Sequence, residues 1–351
     1  MTVSELGERA LLVRIQAKLN ATSRPPASLV VGIGDDAAVV ASARDAQIVI
    51  TTDAQIEGVH FERTFSTPTN IGYRALAVNL SDLAAMGAVP RWALLSLAMP
   101  DGMLVSDVEE LVAGLGEGAA AYGTDVIGGN LARTPGPLVV DVTAIGEVKP
   151  RRALTRSGGR PGDALYVSGT LGAAAAGLEM LRAVPDGQAF RGGKEGADSS
   201  PARWPSGDER CVARYLRPEP RVRLGIAIAN GRAARAAMDL SDGLADAAVQ
   251  VAAASRCGVE IDAAALPIEP AARAWWDAAG QDAVRQAMSR GDDYELLIAV
   301  PRSWDGRLRH VQSRVATPAL TRIGTLTKDR ESRVLLRDGK REELPGGFEH
   351  F

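Results

Sequence analysis

Cysteine and histidine are scarce in this sequence: 351 residues contain two of the first and three of the second. Cys211 and Cys257 cannot build a disulfide framework, and their spacing is not that of a metal site. They read as small hydrophobes in a reducing compartment. So little Cys and His also disfavours zinc or any other soft-metal centre. No run of roughly eighteen apolar residues is present, which excludes a spanning helix. Met1 to Arg14 lacks the basic-then-apolar order of a secretory signal, so the cytoplasm is the expected compartment. Charge of one sign is missing too. Lys and Arg number 40 against 43 Asp and Glu, a net charge of −3, and no cationic run advertises a nucleic-acid partner. Any anionic ligand must be held locally, by metal ions or a few placed residues.

Familiar nucleotide motifs are absent as well. Gly32-Ile33-Gly34 has no third glycine at dinucleotide-fold spacing, and no GxxxxGK followed by Ser or Thr occurs. The protein-kinase signature set is missing. If ATP is used, another architecture binds it.

What is present suggests a two-domain α/β or α+β protein, since the length exceeds one ordinary core and strands alternate with helices. Ser4 to Leu19 has the apolar spacing of a helix. Ile48 to Ile50 reads as a strand stopping at Thr51-Thr52-Asp53, Thr69 to Met86 as a helix, Trp92 to Met99 as a strand and Val105 to Tyr122 as a helix. Strands over Asp125 to Gly128 and Leu138 to Val148 complete a first domain, 1–150. A polar, Gly-rich hinge, Arg151 to Asp163, opens the second, 151–351, in which 185–208 reads as a flexible insertion. Further on come a helix closing at Gly231, a strand over Ala237 to Leu240, a helix from Gly243 to Arg256 stopped by Gly258, and a buried strand, Leu296 to Val300. Trp275 and Trp276 read as a core or interface pair.

The chemistry lies in carboxylates set at strand ends or beside glycines: Asp35, Asp36, Asp53, Asp82, Asp239, Asp242, Asp292 and Asp293. A carboxylate next to an apolar run is costly unless a cation meets it. Lys and Arg are not interleaved with these positions, so hard metal ions are the natural partner. Taken singly, each Asp–Gly pair is explained as well by a turn; it is their number that favours a site. Ser241, in Asp239-Leu240-Ser241-Asp242-Gly243, suits either a plain helix cap or an anion-facing helix start. Arg156 suits either a bidentate phosphate contact or a solvated linker charge. His60, in Gly58-Val59-His60-Phe61, suits a satisfied structural histidine.

In order along the chain, several segments together resemble the thiamine-monophosphate kinase family. They are Gly32-Ile33-Gly34-Asp35-Asp36, Thr51-Thr52-Asp53, Gly58-Val59-His60-Phe61, Asn79-Leu80-Ser81-Asp82 with Leu83-Ala84-Ala85-Met86-Gly87, and Arg152-Ala153-Leu154-Thr155-Arg156-Ser157-Gly158. Pro161-Gly162-Asp163, Leu216-Arg217-Pro218, Asp239-Leu240-Ser241-Asp242-Gly243, Asp293-Tyr294-Glu295-Leu296 and Gly347-Phe348-Glu349-His350-Phe351 continue the match. The superfamily also holds aminoimidazole ribonucleotide synthetase, selenophosphate synthetase and a hydrogenase maturation protein. The resemblance implies a two-domain aminoimidazole ribonucleotide synthetase-like fold, an N-terminal domain that forms the interface of a homodimer, and a C-terminal α/β layer. It implies ATP as co-substrate and several Mg²⁺ ions, held by Asp36, Thr51, Thr52, Asp53, Asp82, Asn130, Asp239 and Asp242. Asp53 and Asp82 would act at the transferred phosphate. Gly129, Asn130, Arg156 and Ser241 would contact ATP, and His60, Asp292 and Phe348 the thiamine phosphate.

Two positions depart from the family pattern. Asn130 stands where an Asp is usual, keeping an oxygen ligand but losing a charge, and Asp292 stands for a Glu, one methylene shorter. The implied acceptor is a phosphate monoester, largely dianionic at neutral pH, so a carboxylate base is unnecessary and direct in-line transfer is expected. A superfamily member with another acceptor, or a nucleotide sensor without turnover, is the alternative.

Overall fold

The computed structural model describes residues 1–6, 8–22, 28–31, 38–184 and 208–347. These fall into two compact units: described residues of 1–83 and 89–150 in the first, and 84–88, 151–184 and 208–347 in the second.

The first unit opens with α1 (Val3–Leu6) and α2 (Glu8–Thr22), where the apolar spacing alone predicts one helix. Leu11, Ile15 and Leu19 form the buried stripe of α2. An antiparallel pair follows, β1 (Leu29–Val31) with β2 (Val39–Val40). Then come β3 (Gln47–Ile56), α3 (Pro68–Ala85), β4 (Val89–Met99), α4 (Val105–Tyr122), β5 (Asp125–Arg133) and β6 (Val139–Val148). Thr67 starts α3 by accepting the Asn70 N–H at 3.2 Å, and Pro68 supplies a preset first-turn φ.

Four strands make the sheet, in the order β3-β6-β4-β5. The β3/β6 and β6/β4 pairs are antiparallel, and β4 pairs in parallel with the edge strand β5 through the crossover helix α4. Strand β3 does not stop at Thr51–Asp53, as the local sequence suggests. Its pairing with β6 runs unbroken from Gln47↔Val148 to Ile56↔Val139, so ladder bonds override the poor strand propensity of Asp53. Helices α3 and α4 meet backbone to backbone. A Cβ on Gly72 would lie 1.9 Å from Leu111 O, and one on Gly114 1.8 Å from Thr69 O.

In the second unit, β7 (Ala164–Ser168), α5 (Ala173–Ala183), α6 (Asp208–Leu216), α7 (Val222–Gly231), β8 (Ala236–Asp239) and α8 (Leu244–Ala254) come first. They are followed by β9 (Gly258–Asp262), α9 (Pro270–Ala278), α10 (Ala283–Ser289), β10 (Leu296–Val300) and α11 (Asp305–Arg314). Strands β11 (Leu320–Thr327), β12 (Arg333–Arg337) and β13 (Lys340–Glu343) close the described chain. The seven-stranded sheet runs β13-β12-β9-β11-β7-β10-β8, antiparallel except for β9 with β12. All five residues of β10 are wholly buried, as its unbroken apolar run predicts.

Gly258 is not a helix stop. It begins β9, where a Cβ would lie 1.8 Å from Asp329 O; the left-handed residue after α8 is Arg256, φ 54°. Of the insertion expected at 185–208, only Asp208 is described, as the first residue of α6. Cys211 and Cys257 are free and buried, and burial pushes the Cys211 thiol up to about 12, so it packs as an apolar group. Trp276 is fully buried and Trp275 half-buried; both indole N–H groups donate to Glu179 Oε2, at 3.2 and 3.0 Å.

The α3/α4 contact leaves no space for a methyl group. Gly114→Ala should therefore cost ~1–3 kcal/mol through forced separation of the helices. Urea unfolding of wild type and variant checks this, and an unchanged midpoint would contradict it.

Candidate active site

Period-two alternation gives the sheet of the first unit two chemically distinct faces. Thr51, Asp53 and Gln55 point toward α3. Thr51 Oγ1 donates to Asp82 Oδ2 at 2.5 Å, and Arg74 Nε, two turns earlier on the same helix, donates to Gln55 Oε1 at 3.2 Å. Asp53 lies between these contacts. Thr51, Asp53 and Asp82 are thus gathered where β3 faces α3.

Thr52 is on the opposite face. Its hydroxyl lies 3.0 Å from Asp141 Oδ1, 3.1 Å from Thr143 Oγ1 and 3.2 Å from Val142 O. In register, Asp141 pairs with Ser96, and Ser96 with Asn130, so all three stand in one row across the same face. The expected metal set is therefore split within this unit, with Thr52 and Asn130 apart from Thr51, Asp53 and Asp82. Gly129 sits in β5 where a Cβ would be 1.8 Å from Leu95 O, so close approach of neighbouring strands requires a glycine there. His60 is oriented by its Nδ1, which accepts the Ile56 N–H at 3.1 Å.

In the second unit, two distant segments are laced together by main-chain bonds. Asp292 N donates to Ser241 O at 2.8 Å, Tyr294 N to Leu240 O at 3.1 Å and Leu240 N to Glu295 O at 2.9 Å. The fit is tight, because a Cβ on Gly291 would lie 2.0 Å from Ser241 O. This brings Asp239, Ser241, Asp242 and Asp292 into one neighbourhood. Ser241 does not cap α8: the cap is Gly243, at φ 98°, with no room for a Cβ beside Arg290 O and Met288 O. Gly347 reaches the same place, its Cβ position being 2.5 Å from Asp246 Cβ and 3.2 Å from Asp242 O. Arg156 joins from the other side by donating to Gln250 Oε1, and Gln250 Nε2 donates to Asp246 Oδ2 at 2.6 Å. Asp36 and Phe348 lie outside the described residues.

Among the described residues no three His, Cys, Asp or Glu side chains stand close enough to cage a metal. The donors that do converge are all oxygens, carboxylate and hydroxyl. That chemistry suits Mg²⁺, which takes one or two carboxylates and leaves its other positions to water and phosphate.

Residues 34–148 match the model of the AIR synthase related protein N-terminal domain, and 160–337 that of the C-terminal domain. The thiamine-monophosphate kinase of Escherichia coli K12 is 37% identical over 98% of both chains. The crystal structure of thiamine-monophosphate kinase from Stenotrophomonas maltophilia K279a is 35% identical, with a TM-score of 0.78, covering 95% of this chain and 96% of that one. AaThiL complexed with AMPPCP and TMP is 32% identical, with a TM-score of 0.73, over 100% and 99% of the two chains.

The chain belongs to the thiamine-monophosphate kinase family.

Two features of this family member escape a reading of motifs. Asp141 is missed because it lies inside a strand, Val139-Val140-Asp141-Val142-Thr143, with no glycine beside it; its signal is an acid on the polar register of an alternating run. Asp293, grouped by sequence with the cation-poor carboxylates, proves to be a structural acid. It is buried, and both its oxygens accept the Gly172 N–H, at 2.8 and 3.0 Å. Tyr294 Oη donates to Asp292 Oδ1 at 3.0 Å and steadies the shortened acid.

Burial pushes the Asp293 carboxyl up to about 7, against the backbone N–H bonds and Arg214, which pull it down. Its pKa in the unfolded chain is about 3.9. The folded state thus binds more protons between these values, and stability from this group falls as pH rises from about 4 to about 7. Melting temperatures at pH 5 and pH 8 should differ less in Asp293→Asn than in wild type; an equal difference would contradict the assignment.

Proposed function

We propose that this chain transfers the γ-phosphoryl group of ATP to thiamine monophosphate, giving thiamine diphosphate and ADP. Near-complete coverage of a relative whose structure holds AMPPCP and TMP supports the pair of substrates. Within the chain, the observation that carries the reading is the Thr51–Asp82 contact beside Asp53, which concentrates anionic and hydroxyl oxygens where β3 faces α3. A site for joining two polyanions needs that composition, because the main obstacle is repulsion between phosphates.

Asp53 and Asp82 would hold Mg²⁺ in the first unit with Thr51, and Asp36 joins them by resemblance. Asp239 and Asp242 are the corresponding ligands of the second. Thr52 and Asn130, on the other sheet face, belong with Asp141 in a second group of oxygen donors. Bound Mg²⁺ neutralises phosphate charge. Arg156, Ser241 and Gly129 are assigned to ATP, and His60, Asp292 and Phe348 to the acceptor. Residues 1–150 are assigned to metal, nucleotide and dimer contacts, and 151–351 form the C-terminal α/β domain. The acceptor phosphate is its own nucleophile, so the chain's task is to align it and exclude water.

A homodimer fits the surface of the first unit, and the cytoplasm remains the proposed compartment. Ile48 and Ile50, on the face of β3 turned away from α3, are 43% and 65% exposed, β-branched residues that a second copy would cover. Sedimentation should return twice the chain mass for wild type and a lighter species for Ile50→Glu; a monomeric wild type would overturn the assignment.

ADP release should depend on thiamine monophosphate, and binding of ATP without acceptor-dependent ADP would favour a sensor instead. Asp53→Asn and Asp82→Asn should abolish that release while circular dichroism stays unchanged; near wild-type rates at saturating Mg²⁺ would contradict the roles given to them. A chiral γ-phosphate should emerge inverted, whereas retention would indicate a phosphoenzyme.

A further inference from the structure

Beneath the segment that carries Asp292 lies a buried ion cluster for which the chemistry above has no use. Glu295, at the entry to β10, is 1% exposed. Its Oε2 accepts from Arg221 Nε at 2.7 Å and Ser168 Oγ at 2.5 Å, and its Oε1 accepts from Arg214 Nη2 at 3.1 Å and from Arg221 Nη2. Glu219 closes the ring from outside, with Oε2 3.2 Å from Arg214 Nη1 and 3.0 Å from Arg221 Nη1. Gly169 leaves space for the carboxylate, since a Cβ there would lie 2.2 Å from Glu295 Oε1. Burying two guanidinium groups with their acids is expensive and by itself adds little net stability. Such a cluster is better explained by what it holds in place.

It holds the backbone of the acceptor segment. Arg214 Nη2 also donates to Asp293 O at 2.8 Å, and Glu295 O anchors Leu240 N. Tyr294 (φ 50°) lies between these fixed points and Asp292 (φ 71°) immediately before them, and both adopt left-handed conformations. For residues with a Cβ these cost on the order of 1 kcal/mol or more each, and they persist only where the surroundings over-determine them. A planar fork making two bonds to one carboxylate supplies that constraint, and a lysine cannot reproduce it.

We infer that Arg214 and Arg221 are positioning residues for the acceptor site: by clamping Glu295 and the Asp293 carbonyl they keep Asp292 in its left-handed conformation, in register with Ser241 and Asp242. The effect on catalysis rests on the assignment of Asp292 to the acceptor; the effect on the backbone does not.

The test uses the full chain with Arg221→Lys, which keeps the charge and loses the fork. Glu219→Gln serves as a second variant, because Glu219 is 59% exposed and its loss does not threaten folding. Amide hydrogen exchange of the peptide containing Asp292 and Tyr294 should accelerate about tenfold in Arg221→Lys and about threefold in Glu219→Gln, with β4 and β6 unchanged. In Arg221→Lys the KM for thiamine monophosphate should rise about tenfold while that for ATP moves less than about twofold. Unchanged exchange at Asp292 and Tyr294 in both variants would overturn the inference, as would a uniform acceleration throughout the chain. If wild type fails to turn over thiamine monophosphate, the proposed reaction is wrong, and the exchange measurement still decides the clamp. Selective exchange with both KM values unmoved would sink the positioning role.

Discussion

Main-chain hydrogen bonds between the Asp239–Gly243 turn and the Gly291–Glu295 segment are what the candidate site of the second unit depends on. These bonds need two antiparallel strands, β8 and β10, lying side by side with β8 ending where β10 begins, so that Leu240 and Ser241 present carbonyls to Tyr294 and Asp292. They also need glycines at the contact, because Gly243 and Gly291 stand where no Cβ fits. Everything functional nearby follows from this junction. Asp242 and Asp292 become neighbours, Gly347 packs on the outside, and Arg156 is tethered through Gln250 to Asp246.

The first unit solves a different problem, that of placing acids on a sheet. A strand turns alternate side chains to opposite faces, so the contiguous Thr51-Thr52-Asp53 cannot act as one cluster. Thr51 and Asp53 go to the helix-covered face, where Asp82 meets them, while Thr52 goes to the face of Asp141 and Asn130. One sheet therefore carries oxygen donors on both of its faces. Asn130 and Asp141 stand two strands apart in the same row of that face.

Structural and functional carboxylates look alike in sequence and differ in what meets them. Asp292 and Asp293 are adjacent, yet one faces the site and accepts a phenol O–H, and the other is buried on the backbone N–H of Gly172. Glu295 lies in an apolar run and is neutralised by arginines some eighty positions earlier, which no local reading of charge could supply. An acid without cationic sequence neighbours can still be met by a cation in space, as Glu295 is by Arg214 and Arg221.

Several things were legible without coordinates: the alternation that makes an α/β chain, the wholly buried run of β10, and the ordered motifs that mark the family. Each of these is local, set by periodicity, by glycine and proline, or by short runs of residues. The end of β3, the cap of α8, the place of Gly258 and the contact of Asp141 with Thr52 were not legible. Each depends on which strand or turn lies alongside, and pairing energy outweighs the preference of any one residue. Local composition therefore determined which elements form and which chemistry the chain carries. Tertiary contact alone decided which carboxylates share a site, because a side chain's charge has meaning only against the groups that surround it.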